Sequence, residues 1–221
     1  MRKPGIPMPI LMESPMHNET RATRRGVILG AGASALVALG PLRPGPAFAL
    51  DDAQARALIG QAVNDVNAAI DSGKSGAALY AQFEAIFTKY ADVPTIARSA
   101  LGVAARQASP GQMSAFTTAF RGYISRKYGK RFNEFIGARF EVEGARKVKT
   151  FYEVKTVAHL RGQAPFEALW HVSDKSGKNL FFNIIIEGVN MLAAERTEIG
   201  AMLDARRGSL DALIADLKTA S

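Results

Sequence analysis

The chain has 221 residues, 48% of them apolar and 22% charged, and it has no cysteine. Such a composition supports a sizeable core, and it excludes disulfides, thiolate metal sites, iron–sulfur clusters and cysteine nucleophiles. Half of the net charge of +8 falls in the first 49 residues, where Arg2, Lys3, Arg21, Arg24, Arg25 and Arg43 stand against Glu13 and Glu19, so the remainder is only mildly basic.

The first 49 residues read as an export leader. A basic zone ends at Arg24-Arg25, an apolar run covers residues 27–39, and Ala47-Phe48-Ala49 supplies small residues for an A-x-A processing site. The mature chain is then expected to begin at Leu50. The run has about half the ~20 residues that a spanning helix needs. Paired arginines ahead of a weak apolar run fit a twin-arginine signal, with a general secretory signal as the alternative. Met8, Met12 and Met16 are alternative starts. Gly30-Ala31-Gly32-Ala33-Ser34-Ala35 imitates a dinucleotide-binding loop, but no strand precedes it and it belongs to the leader.

Residues 50–221 show no repeat and no linker, and are expected to form a single domain. Helical periodicity covers residues 51–72, with Leu58, Ile59, Ala62, Val63, Val66 and Ile70 on one stripe. A second helix is expected over 75–90, with Leu79, Phe83, Ile86, Phe87 and Tyr90 on one face. Asp92 caps a short third helix through Leu101. Ser109-Pro110-Gly111-Gln112 is a capping box with proline in the first turn, and it opens a long helix bearing Met113, Phe116, Phe120, Tyr123, Ile124 and Tyr128.

After Gly137 the apolar period drops from near 3.6 to 2. Phe140 and Val142 alternate with charges. A second alternating run covers 148–158 and includes Tyr152 and Val154. A third covers 166–173 and includes Trp170. Residues 180–186 are apolar on both faces apart from Asn183, which suits a central strand. Two helices close the chain, over about 193–206 and after Ser209. The expected class is α+β: a mainly antiparallel four-stranded sheet covered by helices on one face.

Chemistry-bearing motifs are scarce. His159 and His171 fall on the polar face of neighbouring strands, and no third ligand is placed by spacing. No nucleophile elbow, phosphate loop or H-E-x-x-H motif occurs, and the carboxylates are scattered on solvent faces. No catalysis and no cofactor are expected. The basic clusters at 126–131 and 146–149 read as a solvated face or as a docking surface for anionic headgroups or an acidic partner, and nucleic acid is not an expected partner. The bulky apolar residues suit either a dry core or a cavity between sheet and long helix, and periodicity alone serves both.

Four stretches resemble the MlaC family of periplasmic phospholipid-binding proteins, the toluene-tolerance auxiliary components of ABC transporters. They are Tyr90-Ala91-Asp92 with Ala97-Arg98-Ser99-Ala100-Leu101-Gly102; Arg106-Gln107-Ala108-Ser109-Pro110-Gly111-Gln112 with Phe116, Phe120 and Tyr128; Ile186-Glu187-Gly188-Val189-Asn190-Met191 with Glu195-Arg196-Thr197-Glu198-Ile199; and Gly208 with Leu213-Ile214-Ala215-Asp216-Leu217. The resemblance implies an apolar pocket for phospholipid tails, the lipid being cargo and not a cofactor. It also implies a periplasmic shuttle between an outer-membrane lipoprotein complex and the ring subunit of an inner-membrane ABC transporter; a monomer is expected. A hopanoid carrier, or an interaction module of the ABC system with a dry core, stays open beside it. The lining expected for the pocket is Phe83, Ile86, Phe116, Phe120, Tyr123, Tyr152, Val154, Trp170, Phe182, Ile184, Ile186 and Met191.

Overall fold

A computed structural model describes residues 50–131 and 135–220. The leader assigned to residues 1–49 lies outside the described residues. Six α-helices and five strands follow in order: α1 (Asp52–Asp71), α2 (Gly76–Tyr90), α3 (Val93–Leu101), α4 (Pro110–Gly129), β1 (Arg139–Val148), β2 (Phe151–His159), β3 (Phe166–Ser173), β4 (Leu180–Ile186), β5 (Val189–Asn190), α5 (Met191–Asp204) and α6 (Leu210–Leu217). A 3-10 turn, Gly102–Arg106, joins α3 to the loop before α4.

The helix starts follow their caps. Asp51 accepts from the Gln54 amide, Asp92 from Thr95, and Ser209 from Ala212. The capping box at α4 forms as expected, with Gln112 N donating to Ser109 Oγ at 3.2 Å and Ser109 N to Gln112 Oε1 at 3.1 Å. Each such cap satisfies a backbone group that the first turn leaves unpaired. Near its end α4 runs so close to α2 that a Cβ on Gly129 would sit 2.5 Å from the Tyr80 ring, so only glycine fits there.

The sheet is antiparallel throughout, in the order β1-β2-β3-β4-β5. It has one strand more than expected: Val189 and Asn190 turn back along Ile186 and Ile185 before α5 begins at Met191. The expected single run over 148–158 is also divided. Lys149 and Thr150 form the β1–β2 turn, Lys149 adopting a left-handed φ of 54°, and Val148 closes β1 opposite Phe151. Two β-bulges interrupt the ladder, one at Glu143 of β1 and one at Phe182 of β4. Each shifts the inside–outside parity of its strand by one residue.

The main core joins α1, α3, α4, α5 and α6 to β2, β3 and β4 through Ile59, Phe116, Phe120, Val154, Val172, Ile199, Leu213 and Leu217, all essentially inaccessible to solvent. A second, smaller cluster of Ala69, Ile70, Leu79 and Phe83 fills the far end of the α1–α2 pair. Among the described residues no helix is long and apolar enough to cross a membrane.

Candidate functional site

Register defines the inner face of the sheet. Phe140, Val142 and Ala145 of β1, Tyr152, Val154, Thr156 and Ala158 of β2, Ala168, Trp170 and Val172 of β3, and Phe181, Ile184 and Ile186 of β4 lie on one side. The helices cover that side unevenly. α1 lies across β1 and β2, whereas α3 and α5 pack on β4. The central strand β3 has no helix packed along it to a similar extent among the described residues.

The result is a wall buried along its middle at Val154, Thr156, Ala158, Ala168 and Val172, with large apolar side chains left partly exposed around that strip. Val154 and Val172 share the buried main core with Tyr123 and with Phe116 and Phe120, whose rings stack 5.7 Å apart. Phe140, Val142, Tyr152, Trp170 and Ile184 touch this core but keep part of their surface in solvent. Ile186 and Met191 are half-buried and belong to neither packed cluster; Ala158 and Ala168 also stand outside both clusters, but are buried. The exposed Val189 stands beside Ile186 on the short hairpin.

The open part of the wall presents hydrocarbon and rings. Trp170 places its one polar atom in the sheet, the indole N–H donating to Thr156 Oγ1 at 3.0 Å, while the Thr156 hydroxyl donates to the Ala168 carbonyl at 3.3 Å. Phe181 meets Trp170 edge to face at 5.2 Å, and Phe87 of α2 lies 6.3 Å beyond Phe181. Such a surface has few polar groups with which to hold water, and it suits an apolar occupant.

The twelve residues expected to line a pocket therefore divide. Phe116, Phe120, Tyr123 and Val154 are closed core. Trp170, Ile184 and Tyr152 form the partly uncovered wall, with Ile186 and Met191 at its margin. Ile86 of α2 touches both clusters, and Phe83 sits in the smaller one. Phe182 is the bulged residue of β4. Its ring lies 5.5 Å from Phe151 and 5.7 Å from His171, and it is partly buried against the main core. Phe181 takes the inner position that simple alternation assigns to Phe182. Phe87, Phe140 and Val142 also belong to the inner surface and are absent from the expected lining. Two surface depressions of about 570 and 620 Å³ lie along α2 and α4, lined by Glu84, Lys89, Arg121, Arg126, Lys218 and smaller side chains, and they touch none of the twelve.

A polar clamp closes the helical side. Lys127 of α4 bonds Glu195 at 2.7 Å and Glu198 at 2.5 Å on α5, and the Tyr123 and Tyr128 hydroxyls donate to Glu198 and Glu195. Burial pushes both tyrosines well above their ordinary pKa, and the acceptor carboxylates add to the effect. For Lys127 burial works downward, but its bonds to the two glutamates outweigh it and hold the ammonium above its usual value. Glu198 shows the converse: burial raises it, and the bonds from Lys127 and Tyr123 bring the carboxylate below its usual range.

On the other face of the sheet, one row runs across four strands: Arg146, Glu153, His171 and Asn183, each opposite the next. Arg146 Nη2 bonds Glu153 at 2.6 Å, His171 Nε2 lies 3.4 Å from Glu153, and Asn183 Nδ2 lies 3.4 Å from His171 Nδ1. Burial lowers the His171 pKa despite Glu153, so the ring is neutral at pH 7. His159 sits six positions further along β2 than Glu153, the partner of His171, roughly 20 Å away at the usual rise, so the two histidines do not form a pair. Among the described residues no group of three or more histidine and acidic side chains is placed to hold a metal ion.

An α+β domain with a partly uncovered apolar sheet face has the form of a binding protein. The family model for the MlaC protein matches residues 60–219, and the chain belongs to the MlaC family. A solved phospholipid-binding protein from Ralstonia solanacearum, in complex with a phospholipid, superposes with a TM-score of 0.61 over 74% of this chain and 94% of that one. Identity is 19%, so this likeness is one of fold.

Proposed function

We propose that this protein is a periplasmic carrier that shelters the acyl chains of a phospholipid and performs no catalysis. It would move lipid between an outer-membrane lipoprotein complex and the ring subunit of an inner-membrane ABC transporter. The observation that carries the reading is the partial exposure of Tyr152, Trp170, Ile184 and Ile186 on the inner face of the sheet, where no helix packs on β3 to the extent that α1 packs on β1. Family membership and a fold shared with a phospholipid-binding protein support it.

The physical need is large. Exposing about 30 acyl methylenes to water costs about 25 kcal/mol at ~0.8 kcal/mol each, so a lipid does not cross an aqueous gap unaided at a useful rate. Burial of the tails against an apolar wall removes most of that cost and leaves the headgroup wet. Selectivity among headgroups is then weak. Release must come from partners that change access to the wall, because retention by the isolated protein is strong.

The test is organic extraction of the purified protein followed by mass spectrometry, with uptake from vesicles carrying labelled phospholipid in parallel. A stoichiometric diacyl lipid is the expected result. A hopanoid mass would move the cargo to the polycyclic class. No bound hydrophobe and no uptake would leave an interaction module with a dry core.

A further inference from the structure

Leu50 is anchored twice, although it precedes the first helix. The residue is 6% exposed and belongs to the main core. Its backbone nitrogen donates to Asp174 Oδ2 at 3.2 Å, a contact between positions 124 residues apart. Asp174 opens the turn between β3 and β4, where its carbonyl accepts from the Gly177 amide at 2.8 Å. One turn into α1, Gln54 Oε1 lies 3.5 Å from Asn179 Nδ2 of the same connection. The start of α1 is thus tied to the β3–β4 turn by one apolar and two polar contacts, and the nitrogen held by the carboxylate belongs to the residue after Ala47-Phe48-Ala49.

We propose that cleavage of the Ala49–Leu50 bond by an envelope leader peptidase converts this nitrogen into an α-ammonium whose built-in acceptor is Asp174. In the hydrolysis, water adds its hydroxyl to the Ala49 carbonyl carbon and the C–N bond breaks. The leader departs with a carboxylate, and the proton released joins the Leu50 amine to give –NH3+. The inference rests on the leader assignment and is independent of the lipid reading.

Charge makes the cut chain bind more firmly than the uncut one. An amide N–H facing a carboxylate is a hydrogen bond to one charged partner, whereas an ammonium in the same place is an ion pair with three donors. The other charges at this end are Asp51 and Asp52 at the start of α1 and Lys175 and Lys178 in the turn. Asp51 Oδ1 is engaged by the Gln54 amide at 2.7 Å and Lys175 Nζ by Thr150 Oγ1 at 3.1 Å, whereas Asp174 is the carboxylate already bonded to the Leu50 nitrogen. Burial of Leu50 also sets an order of events. A peptidase takes its substrate as an extended, accessible segment, so the cut precedes the seating of Leu50, and the new terminus locks α1 after the leader has gone.

The experiment uses the exported full-length chain. Intact mass and terminal sequencing are expected to give Leu50 as the first residue, and a start elsewhere overturns the proposal. Selective acetylation of the α-amine at mildly acidic pH removes its charge without altering the sequence. It is expected to lower the Tm of the wild type by roughly 2–4 °C, in the range for one partly exposed ion pair in a domain of this size, and to leave Asp174→Asn unmoved. An equal shift in both proteins, or none in the wild type, overturns it. A third readout needs no variant: the α-amine of the folded wild type is expected to react with an acylating label about tenfold more slowly at pH 7 than in urea, as for a pKa raised by about one unit. Equal rates count against the pairing.

Discussion

Ala168→Phe separates a binding groove from an ordinary core. Ala168 is buried on the inner face of the central strand, opposite Thr156 on β2 and Ile186 on β4, and belongs to neither packed cluster. A phenyl ring here projects into the space that an acyl chain would occupy above β3. It displaces about four methylenes, which at ~0.8 kcal/mol each removes about 3 kcal/mol of binding, a loss of roughly 200-fold in affinity. If the space is already filled by protein, the ring overpacks a finished core and costs about 1–3 kcal/mol of stability. The two cases give opposite readouts. A groove predicts loss of co-purifying lipid and of uptake from labelled vesicles, with a Tm close to that of the wild type. A variant that unfolds several degrees early yet keeps full lipid occupancy would refute the placement of the tails over β3.

Phe116→Ala tests the closed half: Phe116 is fully buried and stacked on Phe120, so its truncation is expected to cost about 3–5 kcal/mol in chemical denaturation, while any lipid still bound keeps its wild-type mass. Lys127→Met leaves the buried Glu195 without its cation, and about 3 kcal/mol of stability should be lost, partly recovered in the Lys127→Met, Glu195→Gln double variant. The folded His171 pKa is depressed by burial below the ordinary value of 6.5. Between those two values the unfolded chain binds the proton more readily, so this contribution is present above about pH 6.5 and is lost as pH falls through the folded pKa. Urea melts from pH 7.5 to 5 should show it, and His171→Gln should flatten that part of the profile.

Local signals carried the helices. Asp51, Asp92, Ser109 and Ser209 each cap where their neighbours' periodicity begins, because capping depends on side chains within three residues. Inner-face alternation was equally legible along β2 and most of β3. It failed at the bulges. Counting from the polar Asn183 assigns Phe182 to the inside, but the extra residue in β4 gives that place to Phe181 and turns Phe182 toward Phe151 and His171. Nothing in Leu180-Phe181-Phe182-Asn183 marks a bulge, because its position is fixed by the partner strand. The same holds for Val148, which continues an alternating pattern across what is in fact a turn at Lys149. The division of the expected lining into closed core and open wall was also beyond periodicity. Phe120 and Trp170 both satisfy an apolar stripe, and what distinguishes them is whether a helix from elsewhere in the chain lies on top.

An uncovered sheet face is a liability in an ordinary domain, since each Å² of apolar surface left in water forgoes roughly 25 cal/mol. The fold is fastened by polar networks away from that surface. The Lys127–Glu195–Glu198 network joins α4 to α5, and the Arg146–Glu153–His171–Asn183 row ties four strands together on the face away from the helices. Both devices hold backbone elements in place without filling the space above β3 with side chains. Hydrophobic packing there would have stabilised the empty protein more simply, but it would have competed with any cargo for the same wall. Specific polar fastenings fix the frame and leave the wall to be completed from outside. If the proposed carrier reading holds, lipid at a free concentration a hundred times Kd raises stability by about 2.7 kcal/mol, enough to make melting temperature a direct gauge of occupancy.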